Sequence, residues 1–151
     1  MTQLLSAEVL AFIGHRSAAR TELASRREIR KYSIATDQRQ RKFLDGDEAP
    51  PMFYLPLFWD VVELSELTPD GVSIDSLLPE FPLKRAMAGG LKIDYHRPIM
   101  PGDSLTATRT LTDIYQKNGS KGPLIFYQVV MEIVDESGRQ VVTEKTTRIL
   151  R

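Results

Sequence analysis

The sequence predicts an α+β domain, a curved antiparallel sheet wrapped around a central buried helix. Three observations lead there. From Leu91 onward the chain breaks into four long runs rich in Ile, Val, Thr and Tyr that alternate over much of their length, the pattern of strands with one face covered. The runs are separated by "PIMPGD", "NGSKG" and "SG", short turn-forming stretches of the kind that join antiparallel neighbours. Residues 49–67, "APPMFYLPLFWDVVELSEL", form the most apolar segment, and their apolar residues fall on every face of a helix, so such a helix must be surrounded.

Each element follows from local chemistry. "SAEVLAFI" can form a short helix with Ser6 as N-cap, stopped by Gly14. Residues 16–23, "RSAARTEL", alternate weakly and suit a short strand. "SRRE" sets Ser25 three residues before Glu28, a capping box that starts a helix through "REIRKYSIATDQ", with Ile29, Tyr32 and Ala35 or Thr36 on one face. Pro50 and Pro51 suit the first positions of the apolar helix, which is expected over Met52–Leu64; Pro56 can kink it, and an extended path for residues 49–56 stays open. Residues 68–86 carry three prolines and read as a long connecting loop. The expected strands are "LKIDYHR", "SLTATRTLTDIYQK", "PLIFYQVVMEIVDE" and "RQVVTEKTTRIL", with Pro101 and Gly102 forming a type II turn between the first two. Long antiparallel strands twist and coil, and a coiled sheet closing on one helix is the hot-dog arrangement.

Composition narrows the function classes. A chain of 151 residues is read as one domain over residues 1–151. Twenty basic residues balance twenty acidic ones, so no net field favours a nucleic acid or an anionic membrane as partner. The absence of cysteine removes a thiol nucleophile and thiolate metal ligands, and fits a reducing compartment. No basic, apolar leader or membrane-length run occurs, so a cytoplasmic protein is expected. No metal-ligand cluster, phosphate loop or Ser-His-Asp spacing is present, and no cofactor is expected.

Two histidines, His15 and His96, limit acid-base chemistry. In "LKIDYHR" one face carries Leu91, Ile93, Tyr95 and Arg97, the other Lys92, Asp94 and His96. An Asp94–His96 contact is therefore permitted; the alternatives are a solvated face, or a histidine bonded to the turn from Pro98 to Asp103. Asp37 is a second weak catalytic candidate, or simply a solvated residue ending its helix. Gly89 and Gly90 can bring a backbone amide close to a thioester or merely relax a strand entry. Arg85 and Arg97, with Lys84, Lys92 and the cluster Arg39, Arg41 and Lys42, can contact phosphates or be scattered surface charge. Phe53, Tyr54, Leu57, Phe58 and Trp59 form a stripe that is core first, and can also line an acyl tunnel.

"RAMAGGLKIDYHRPIMPGDSLTATRTLTDIYQKNGSKGPLIFYQVVMEIVDESG" resembles the non-catalytic, N-terminal-type hot-dog unit of the MaoC-like and FAS1-like (R)-specific enoyl-thioester hydratases and dehydratases. The similarity is to the amino-terminal half of mesaconyl-C4-CoA hydratase-like and 3-hydroxyacyl-thioester dehydratase-like proteins, and extends over about residues 14–150 with "APPMF" and "REIRKYSIATDQ". The resemblance implies an acyl-CoA or acyl-carrier thioester as substrate and two hot-dog units side by side. It also implies a G-D-x-N-P-x-H signature whose aspartate and histidine hold the attacking water. In this chain Asp37 matches the aspartate and Gln38 the variable place, but Arg39 stands for Asn, Gln40 for Pro and Lys42 for His. The missing histidine implies that a MaoC-type partner subunit supplies the catalytic pair. A self-sufficient homodimer, acting as hydratase or thioesterase, and a non-enzymatic acyl-CoA-binding module remain the alternatives.

Overall fold

The computed structural model describes residues 3–69 and 71–151. Four strands supply most of the framework: β2 (Ala86–Tyr95), β3 (Ser104–Gly119), β4 (Gly122–Val134) and β5 (Gln140–Leu150). With the short β1 (Arg20–Leu23) they form one curved antiparallel sheet in the order β1-β3-β4-β5-β2. The turns set this topology. Gly102 adopts a positive φ of 93°, the value a type II turn demands at that place, and the Asp103 amide closes the turn on Met100 O. Residues 120–121 form a two-residue link between Gly119 and Gly122, and Asp135 folds the β4–β5 hairpin around its own carboxylate.

Period-2 alternation gives the sheet two unlike faces. On the inner face, cross-strand neighbours at one end are Ala107, Ile133 and Val142, while Ile125 and Leu150 pair at the other. Each end has its own apolar cluster. The first is closed by α1 (Arg26–Ala35) through Ile29 and by Phe53 and Tyr54, all fully or almost fully buried. The second is closed by Leu5 from the N-terminal segment and by Leu77 and Phe81 from the connection into β2. Ser25 caps α1, its hydroxyl accepting the Glu28 amide at 3.1 Å, whereas the Glu28 carboxylate turns to Lys31.

Three expectations are corrected. The apolar stretch from Met52 does not make a long surrounded helix: a single turn, α2 (Tyr54–Leu57), ends before Phe58, and Val61 and Leu64 are 92% and 87% exposed. Pro56 supplies no amide, and the chain beyond Phe58 has no regular structure until a 3-10 turn at Leu64–Glu66, so the helix packed on the sheet is α1. The first long strand begins at Ala86 rather than Leu91, which places Gly89 and Gly90 inside β2 at a bulge opposite Arg148 and Thr147. The N-terminal helix is also shorter than expected, Ala7–Leu10, with the Ser6 hydroxyl accepting the Val9 amide.

Candidate functional site

Between the two apolar clusters the inner face carries charged and hydroxyl-bearing side chains among apolar ones. Arg109, Met131 and Glu144 are cross-strand neighbours, as are Val129 with Thr146 and Tyr127 with Arg148. These side chains floor a cavity of ≈ 710 Å³ whose other walls come from Leu55 to Asp60 and from Val72 to Glu80. The cavity exists because no long helix fills the middle of the face; α1 covers only one end.

Hydrogen bonding fixes most of the charged floor. The Tyr54 hydroxyl, on a ring with no exposed surface, donates to Glu144 Oε2, and Thr146 Oγ1 donates to Glu144 Oε1 at 2.9 Å. Burial, then the bond to a carboxylate, holds the Tyr54 phenol well above its usual range, so it stays a proton donor. Arg109 grips Asp75 with both terminal nitrogens, at 3.2 and 2.7 Å, fastening the loop before β2 to β3. On the far wall Arg20 binds Phe58 O, Trp59 O and the Asp60 carboxylate.

A smaller cavity of ≈ 330 Å³ lies at the C-terminal end of β2, lined by Phe53, Tyr54, Tyr95, His96 and Arg97 among others. Tyr54 therefore stands between the two spaces, facing the smaller one and bonded to a residue of the larger. The Tyr95 hydroxyl accepts the Met52 amide at 3.1 Å, and burial raises its pKa.

The residues singled out in the sequence fall into separate places. Phe53, Tyr54, His96 and Arg97 converge on the smaller cavity. His96 lies at its exposed rim with Nε2 2.9 Å from Thr143 Oγ1, and the permitted contact with Asp94 is not made, because Asp94 lies beside Lys92 at 3.6 Å. The Arg97 guanidinium is engaged by Pro98 O, Asp103 and Asp135, a tie between two turns. Asp103 also accepts the Met100 amide. Asp37 sits past the end of α1 at a φ of 53°, beside Arg39 and exposed. Leu57 packs on the first apolar cluster, Arg85 is exposed with its backbone paired to Arg151, and Gly89 and Gly90 line neither cavity. Phe58 and Trp59 wall the larger cavity, although Trp59 is 70% exposed instead of core.

Sequence reasoning missed Asp75, Arg109, Tyr127, Glu144, Thr146 and Arg148. The alternation of their strands assigns the last five to the covered face, and charged residues at covered positions were the available signal. Among the described residues, neither histidine lies within 4.0 Å of a carboxylate, and no group of three or more His, Asp or Glu is placed to hold a metal. No helix among them is long and apolar enough to cross a membrane.

Residues 11–144 match the model of the FAS1-like, dehydratase domain region family. The chain belongs to that family. Its fold is therefore the hot-dog of the MaoC-like hydratases and dehydratases. Over 85 residues, 56% of this chain, it is 31% identical to mesaconyl-C(4)-CoA hydratase of Chloroflexus aurantiacus; the match spans only 30% of that protein's length. Among solved structures it resembles the ChsH1-ChsH2 complex of Mycobacterium tuberculosis, at a TM-score of 0.68 and 15% identity, covering 95% of this chain and 87% of that one. The R-hydratase PhaJ1 from Pseudomonas aeruginosa gives a TM-score of 0.61 at 17% identity, covering 91% and 81%.

Proposed function

We propose that this hot-dog chain is the acyl-thioester-binding unit of an (R)-specific enoyl-CoA hydratase or 3-hydroxyacyl-thioester dehydratase whose catalytic aspartate and histidine come from a partner hot-dog subunit. Adding water across an enoyl thioester requires a base for the water, an acid for the α-carbon and donors for the developing enolate oxygen. One observation carries the reading: neither histidine of the described chain meets a carboxylate, while a partly apolar cavity lies open on the inner face. Glu144 is already held by Tyr54 and Thr146, and Asp37 lies outside both cavities. The FAS1-like family match supports the reaction class. The mesaconyl-C(4)-CoA hydratase relative, of which the match spans less than a third, supports a coenzyme A thioester as the ligand. The ChsH1-ChsH2 complex supports assembly from unlike hot-dog chains.

In this assembly β2 presents its free edge to the partner, the cavity takes the acyl group, and the partner's imidazole and carboxylate handle the water. The test is hydration of crotonyl-CoA by the purified chain, alone and mixed with a hot-dog subunit that carries the Asp-His signature. Negligible turnover alone and turnover in the mixture are expected. Robust turnover by the lone chain, abolished by His96→Ala, would overturn the proposal in favour of a self-sufficient enzyme.

A further inference from the structure

The floor of the larger cavity holds four ionised side chains on the sheet and its facing loop, and three have partners. Arg109 and Asp75 hold each other, and Glu144 accepts from Tyr54 and Thr146. Arg148 makes no hydrogen bond or ion pair among the described residues. The two other carboxylates of the walls are also matched, Asp60 by Arg20 and Glu80 by Lys84. Beside Arg148, as its cross-strand neighbour on β4, stands Tyr127, whose hydroxyl likewise has no hydrogen bond among the described residues. The Tyr127 ring is stacked on Phe81 at 5.3 Å, so the phenol is held in place. Burial raises its pKa, which keeps it a donor at neutral pH. A guanidinium and a phenol, both without an acceptor, thus face the same cavity, next to the Arg109–Asp75 pair.

We infer that Arg148 and Tyr127 form an anion-recognition subsite, and that the cavity prefers a thioester ligand carrying an anionic group at that position. The guanidinium offers a planar pair of donors suited to a carboxylate, and the phenol adds a third from the adjacent strand. The apolar side chains of Val129, Met131 and Phe58 take the hydrocarbon in between. Glu144, on the same strand and face as Arg148, repels an anion from its own end of the cavity and so sets which way round the ligand lies. The anion is either a carboxylate at the far end of the acyl group or a phosphate of the carrier. This inference rests on the acyl-thioester reading above.

Calorimetric titration of the intact chain with succinyl-CoA, butyryl-CoA and free coenzyme A tests it, comparing wild type with Arg148→Gln and Tyr127→Phe. For an acyl carboxylate, succinyl-CoA binds wild type more tightly than butyryl-CoA. Arg148→Gln then weakens succinyl-CoA by about tenfold, the loss of one charge-assisted bond, and leaves butyryl-CoA unchanged. For a carrier phosphate, Arg148→Gln weakens all three ligands alike. Succinyl-CoA binding no more tightly than butyryl-CoA, with the affinity of every ligand unchanged in both variants and unfolding midpoints unchanged, overturns the subsite and leaves the acyl-thioester reading standing. Failure of wild type to bind either thioester overturns both.

Discussion

Arg97 and Asp135 tie together the turns that shape the mouth of the smaller cavity. The Arg97 guanidinium donates to Asp103 at 2.7 Å and to Asp135 at 3.3 Å, so the β2–β3 turn and the β4–β5 hairpin are drawn onto one cation. The Asp135 carboxylate also accepts from the Ser137 hydroxyl at 2.6 Å, the Ser137 amide at 2.9 Å and the Arg139 amide at 3.1 Å. These donors favour the ionised form and hold its pKa well below the usual carboxylate range, the Ser137 hydroxyl most of all. The sign of the pH effect follows. Above roughly pH 4, the ordinary carboxylate value, the group is ionised folded or unfolded and its stabilisation is complete. As pH falls below that value the unfolded chain takes up the proton first, and the stabilisation fades until the folded form is protonated too. Asp135→Asn should therefore lower the urea midpoint at pH 7, and the gap from wild type should narrow steadily between pH 5 and pH 2. A gap that stays constant over this range would show that the lost contribution does not depend on the carboxylate's charge.

Among the elements, the strands and α1 were legible, but not that α1, rather than the apolar run from Met52, packs on the sheet. Strand residues announce themselves by alternation, and Gly102 and Gly138 by the positive φ their turns require. The apolar run from Met52 misled because crowding of apolar residues on all faces does not distinguish a buried helix from a short turn followed by an exposed strap. Phe53 and Tyr54 do enter the core, but Val61 and Leu64 do not. The cavity floor was hidden for another reason: alternation says which residues share a face, but not that Asp75, 34 residues before Arg109, returns to meet it. The bulge in β2 was equally invisible, although its glycines were noticed. A Cβ on Gly89 would come within 2.9 Å of the Ile149 side chain and 3.1 Å of Thr147 O, whereas at Gly90 nothing lies within 4 Å. Gly89→Ala should therefore destabilise the isolated chain by about 1–3 kcal/mol through overpacking. Gly90→Ala should be neutral or stabilise by up to about 1 kcal/mol, by restricting the unfolded chain. Denaturant titration of the two variants checks the contrast, and equal costs would remove the steric account of the bulge.

At the scale of the whole molecule the two edges of the sheet are unequal. β1 is four residues long and its Arg20 side chain is tied to the strap at Phe58–Asp60, so it offers little to a neighbour. β2 runs for ten residues, pairs among the described residues only with β5, and leaves Leu91 and Tyr95 52% and 47% exposed. A long free edge with apolar side chains is an association site unless something blunts it, and Lys92 with Asp94 is the only charge along it. The smaller cavity opens beside Tyr95, His96 and Arg97, at one end of this strand, so a chain joined along β2 arrives next to it. Hydrogen exchange distinguishes this edge from every other surface. In the dilute isolated chain the β2 amides that point away from β5 should exchange fast, and addition of the partner subunit should slow those amides selectively. If instead they slow when this chain alone is concentrated, the same edge joins two copies. Protection that appears elsewhere while β2 stays fast would place the proposed partner on a different surface, and the cavity proposed for the acyl group would then have to be completed from another side.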